Sequence, residues 1–197
     1  MNKHYFFFVF VLILASCSDK KIVVMSKGPA VINTDAKTIT AKEGAGHEEK
    51  EITLGGGKMV FKLNTPAGEA VVELLENGLY IVNVKNDTII GSFVKYGDPK
   101  KAQTSVTQEE LKKQTDSLQL LLEGKNVSEA NRNFFILPNT AKKITDNTKA
   151  MIVGPYHRMT SAETVDGKAP DVYRFYSIRE IREMIVKLQV LTAPKKN

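Results

Sequence analysis

The sequence predicts an α+β fold: an antiparallel β-meander, then a helix, further strands and a C-terminal amphipathic helix. Three observations predict it. Between residues 37 and 96, short runs alternate polar and apolar side chains and are cut by turns rich in glycine, proline and asparagine. Two capping boxes, Thr107 with Glu110 and Ser177 with Glu180, each open a stretch with apolar residues at helical spacing. The content of 42% hydrophobic against 25% charged residues belongs to a chain that buries a core.

The elements follow in order. A strand at residues 38–40 precedes a glycine-rich loop, and residues 50–54 alternate as a half-buried strand does. Gly55-Gly56-Gly57 turns the chain into a strand whose Met59, Phe61 and Leu63 share one face. Thr65-Pro66-Ala67-Gly68 makes the next turn. Residues 70–75 and 79–84 flank Asn77-Gly78, the strongest short hairpin signal, and Lys85-Asn86-Asp87 turns into a strand at 88–94.

Past the Gly97-Asp98-Pro99 break, Leu111, Leu118, Leu121 and Leu122 mark one helix face until Gly124 stops it. Strands follow at residues 134–137, 141–145, 151–153 and 171–176. Ser177 then caps the last helix. Its Ile178, Ile181, Ile185 and Leu188 form an apolar stripe, Arg179 and Glu183 pair on the wet face, and Pro194 ends it.

The N-terminus carries an address. Residues 1–4 include Lys3, and residues 5–14 (YFFFVFVLIL) are an unbroken apolar run, the layout of a secretory signal peptide. A spanning helix needs about 20 apolar residues, so this run is too short to remain as an anchor. Leu14-Ala15-Ser16-Cys17 ends it, with the single cysteine of the chain.

These four residues resemble the lipobox of bacterial lipoproteins. The resemblance implies cleavage before Cys17, a diacylglyceryl group on its thiol and an acyl group on the new amino terminus. The partner is then the membrane, through Cys17. Two or three acyl chains hold firmly where one binds reversibly, since each buried methylene contributes about 0.8 kcal/mol. Ser18, where the resemblance would place aspartate for inner-membrane retention, favours the outer membrane, facing the periplasm. The expected organisation is a signal peptide over residues 1–16, a lipidated cysteine and tether over 17–35, and one α+β domain over 36–193. Within the tether the run Ile22-Val23-Val24-Met25 could be a first strand, but Gly28-Pro29 breaks whatever it starts. Residues 126–139 (NVSEANRNFFILPN) and 171–185 (DVYRFYSIREIREMI) also resemble uncharacterised lipoproteins of the Bacteroidota envelope, over the C-terminal third. That resemblance implies no activity.

Charge and motifs narrow the function further. The net charge is +6, but lysine pairs recur at 20–21, 100–101, 112–113, 142–143 and 195–196 without forming one nucleic-acid footprint. Nucleic acid is not an expected partner. Lys20 and Lys21, held beside a bilayer, would add roughly 1 kcal/mol each against anionic headgroups, or serve solubility alone.

The glycine run at Gly55 with Lys58 lacks the spacing and the following Ser or Thr of a phosphate loop, and reads as a turn. His47-Glu48-Glu49-Lys50 lacks the second histidine of a zincin and reads as a solvated charge run. With two histidines in the mature chain and no spare cysteine, no metal and no cofactor are expected.

No serine sits in a nucleophile elbow. Phe61, Tyr80, Phe93, Phe135, Tyr173 and Phe175 occur at strand spacing and read as core or sheet face before they read as a glycan platform. His157, after Gly154-Pro155, is the one candidate for acid–base work, with Asp166 or Asp171 as its carboxylate. The expectation is therefore a lipid-anchored, non-enzymatic envelope protein that binds another envelope protein or supports an assembly. The alternatives are a small-ligand or glycan-binding module, and an envelope hydrolase using His157.

Overall fold

The computed structural model of the protein describes residues 19–94, 107–154 and 169–192. It corrects the expected fold class. Strand accounts for 45% of the described residues and helix for 20%, so the fold is β-rich, with three four-stranded mixed sheets and two helices.

The layers follow from the buried clusters. The first sheet has the order β10 (Thr140–Thr145), β7 (Gly78–Asn83), β1 (Lys20–Ser26), β4 (Glu48–Leu54). One of its faces packs Ile22, Val24, Tyr80 and Val82 against Ile39, Phe61, Leu63 and Leu74 of the second sheet. That sheet has the order β2 (Ala30–Asn33), β3 (Thr38–Ala41), β5 (Met59–Thr65), β6 (Gly68–Leu74).

The opposite face packs Val23, Met25, Leu79 and Ile81 against Ile89, Phe134, Tyr173 and Phe175. These belong to the third sheet, β11 (Met151–Val153), β12 (Val172–Ser177), β8 (Ile89–Val94), β9 (Asn133–Ile136). Its far side meets α1 (Gln108–Leu122) and α2 (Ile178–Thr192) through Ile90, Leu121, Ile181 and Ile185. The first sheet is thus the inner layer, covered on both faces.

That position explains the two strands that alternation describes poorly. All of β7 is buried, and so is β1 apart from Lys21. A strand covered on both faces reads as a continuous apolar run, as in Ile22-Val23-Val24-Met25, because neither parity of side chain meets water. Residues 20–33, expected to be tether, therefore form β1 and β2. At about 1.5–3 kcal/mol per fully buried aliphatic side chain, β1 is a main source of stability rather than a spacer.

The expected meander is also corrected. Within residues 20–94 only β2–β3 and β5–β6 pair with their immediate neighbour in sequence; β1 lies antiparallel to β4 and parallel to β7. Asn77-Gly78 joins β6 and β7, which lie in different sheets. Gly78 has φ +131°, and a Cβ there would stand 2.6 Å from the Thr145 carbonyl oxygen. The glycine thus serves the close approach of β10 at its bulge, which falls between Lys143 and Thr145.

Both helix starts stand where the capping boxes place them. Thr107 Oγ1 accepts from the Glu110 amide at 3.2 Å, and Glu110 Oε2 accepts from the Thr107 amide at 2.8 Å. At α2, Ser177 Oγ accepts from the Glu180 amide at 3.2 Å, and Glu180 Oε2 accepts from the Ser177 amide at 2.6 Å. Among the described residues no helix is long and apolar enough to cross a membrane.

Candidate functional site

Parallel strands open their carboxyl ends on one side, and this chain uses that twice. β1 runs parallel to β7, and β3 runs parallel to β5. The four loops that follow these strands bring together Lys27, residues 84–86, residues 42–44 and Pro66-Ala67 around a cavity of about 490 Å³. A cavity of that size suits a small ligand. Backbone bonds close the ring: the Gly46 amide donates to Lys27 O at 3.0 Å and the Lys42 amide to Pro29 O at 3.0 Å.

Asn83, fully buried, shapes the loop after β7. Its side-chain amide donates to the carbonyls of Asp87 (2.8 Å) and Ile136 (2.9 Å), and its Oδ1 accepts from the Lys85 amide at 3.0 Å. Lys27 donates to Asn86 Oδ1. The charges around the cavity are Lys27, Lys42 and Lys85 against Glu43 alone. A concave site with that excess draws anions, because low-dielectric walls focus the field of its cations.

Lys85 also begins a chain of polar contacts behind the loop. The residue is only 4% exposed, and its Nζ lies 2.6 Å from His47 Nδ1. His47 Nε2 in turn lies 2.6 Å from Glu49 Oε1. With Lys85 as the ammonium, which has donors only, Nδ1 accepts and the ring proton on Nε2 faces the carboxylate. Burial holds the Lys85 amine below the ordinary lysine range; Glu180 and Glu49 oppose that shift, and Lys27 adds to it. A Cβ on Gly154 would stand 2.2 Å from Glu49 Oε1, so the end of β11 closes against this pair only with glycine there.

The expected solvated charge run at residues 47–50 is corrected at His47, whose side chain is 8% exposed and held between two partners. The signal missed was Lys85, 38 residues away and read only as part of a turn. The glycine run at 55–57 is a turn, as expected, though it joins β4 to β5 across two sheets. Phe61, Tyr80, Tyr173 and Phe175 are buried and Phe93 and Phe135 partly so, which agrees with their reading as core and sheet-face residues.

His157, Asp166 and Cys17 lie outside the described residues. Asp171 is described, and its carboxylate is occupied. Oδ1 accepts from the Arg132 guanidinium at 2.8 Å and Oδ2 from the Asn147 amide at 3.0 Å. Arg132 also donates to Tyr173 OH at 2.6 Å and lies 3.6 Å over the Phe93 ring. This clamp ties the start of β9 to β12.

The Arg132 guanidinium, with Asn147 second, holds the Asp171 carboxyl below its usual range. The stability it contributes is therefore present above pH 4 and lost as pH falls through the lowered value. Arg132→Ala is expected to cost about 1–3 kcal/mol in urea unfolding at pH 7, and less as the pH drops. An equal cost at both ends of that range would show that the pair plays no part. Among the described residues no three His, Cys, Asp or Glu side chains are placed to hold a metal ion. No family model, curated protein or solved structure matches the chain.

Proposed function

We propose that this chain is an exported protein, anchored by acyl groups on Cys17 at the outer membrane, and that it binds a small anionic ligand without catalysis. The lipobox residues 14–17 support the anchor. The cavity supports the ligand: three lysines and one glutamate line about 490 Å³ bounded by loops from two sheets. A glycan would call for aromatic stacking surfaces, and the cavity lining includes none, so an anion with carboxylate or phosphate groups fits it better. The assembly reading has no comparable observation in its favour.

The test uses the mature chain with Cys17→Ser, titrated calorimetrically with phosphate, pyrophosphate and citrate, and with a neutral disaccharide as control. At least one anion is expected to bind, more weakly as salt rises. Lys42→Glu, a reversal at an exposed lining position, is expected to weaken it at least tenfold, about 1.4 kcal/mol. Equal, negligible heats for the anions and the sugar would remove the reading.

A further inference from the structure

The described chain begins almost at the lipidation site. Asp19 is already in place, its carbonyl accepting from the Gly78 amide at 3.3 Å, and β1 starts at Lys20. Ser18 alone stands between Asp19 and Cys17. Two residues of chain reach at most about 7 Å whatever their conformation. The polar layer of one leaflet is about 5–8 Å deep, half the difference between whole-bilayer and hydrocarbon thickness. An acyl anchor on Cys17 thus leaves no room for a gap between membrane and domain.

The register states which end meets the lipid. Lys20 pairs with Leu54 at the end of β4 and with Gly78 at the start of β7, so the 55–58 turn and the 75–77 turn lie beside the anchor. Lys20 is fully buried there, and its Nζ donates to Gly57 O and, at 3.2 Å, to Asn77 Oδ1, fastening both turns to the strand nearest the lipid. Between them they present Leu75, 57% exposed, and a run of three glycines.

Its cations are already engaged. Lys21 pairs with Glu51 at 2.7 Å, Lys58 with Glu73 at 2.9 Å, and Lys143 with Glu76 and Asp146 at 2.5 and 2.6 Å. The expected attraction of Lys20 and Lys21 to anionic headgroups is thus replaced by internal partners. Lys27 and the cavity stand at the other end of β1, whose seven residues measure about 20 Å.

We infer that the end of the stack formed by residues 55–58 and 75–77 lies against the lipid headgroups, with the lysine-lined cavity opening on the side away from the membrane. The inference rests on the anchor proposed above. The occupant of this surface is the leaflet that carries the anchor. Tether length, rather than surface charge, sets the orientation.

The test uses the full acylated chain in vesicles of phosphatidylethanolamine and phosphatidylglycerol. A fluorophore is attached through Lys58→Cys, Leu75→Cys or Ala67→Cys, and iodide serves as aqueous quencher. Acylated Cys17 does not react with the label. Quenching at 58 and 75 is expected to fall several-fold relative to the same labels in the Cys17→Ser protein, at low and high salt alike. Quenching at 67, beside the cavity, is expected to stay unchanged. Twelve Gly/Ser residues inserted after Ser18 are expected to restore it at 58 and 75.

Equal quenching at all three positions in acylated protein overturns the orientation while leaving the anchor standing. So does shielding that survives the spacer, since that marks a protein contact. Intact mass tests the anchor separately: a chain without acyl groups removes the anchor and this inference with it.

Discussion

Gly91→Ala is expected to be the most damaging single-methyl substitution in the third sheet, costing about 3 kcal/mol. Gly91 of β8 pairs with Phe175 of β12 on one side and Phe134 of β9 on the other. Phe175 is fully buried and Phe134 nearly so, and both belong to the cluster between the first and third sheets. The Phe175 ring lies across the glycine: a Cβ there would stand 2.1 Å from Cε1, 2.6 Å from Cδ1 and 2.7 Å from Cζ. A fully buried ring within that cluster has little room to turn away from three such contacts, so the strands must shift apart. For a chain of this size the melting temperature would fall by roughly 6–12 °C. The Gly91→Ala, Phe175→Leu double variant recovers part of the loss, because the two changes share one space. A Gly91→Ala protein within 0.5 kcal/mol of the parent in urea would mean that the ring has another place to go.

That row of Phe134, Gly91 and Phe175 also shows where sequence reading stops. Each residue is visible as strand, but nothing local states that β8 lies between β9 and β12, because strand pairing is a contact between distant residues. Signals that act within one turn of chain were legible. Thr107 with Glu110 and Ser177 with Glu180 cap the two helices because the bonds they make span three residues. Alternation located β5 and β6, which keep one wet face; β1, which has none, offered only the apolar run Ile22-Val23-Val24-Met25, a candidate strand inside a segment expected to be tether. Asn77-Gly78 was misleading for the same reason: the glycine answers to β10, more than 60 residues on, and not to a two-residue turn. The cavity was invisible in the sequence. Lys27, Lys42, Pro66 and Lys85 are each ordinary loop residues until two pairs of parallel strands bring their ends together.

Lys85 is where stability and proposed function part, and Lys85→Met is expected to separate them. Its ammonium is buried at 4% exposure, and burial lowers its pKa in the folded chain. Between that lowered value and about 10.4, the unfolded chain binds more protons than the folded one, so wild-type stability rises with pH across that window. Below it, the full cost of the buried charge applies. Methionine fills a similar volume and removes the buried charge, whose desolvation costs several kcal/mol, in exchange for the Lys85–His47 hydrogen bond, which contributes about 1–3 kcal/mol. Lys85→Met is therefore expected to be at least as stable as the parent at pH 7, with any advantage shrinking as the pH rises from the lowered value toward about 10.4. His47→Ala acts oppositely, because it removes the acceptor and leaves the ammonium in place, costing about 1–3 kcal/mol. If the cavity binds anions, Lys85→Met loses affinity while holding or gaining stability, which is the mark of a charge retained for a ligand rather than for the fold. A Lys85→Met protein that is less stable at pH 7 by an amount independent of pH would show instead that Lys85 is kept for its contact with His47.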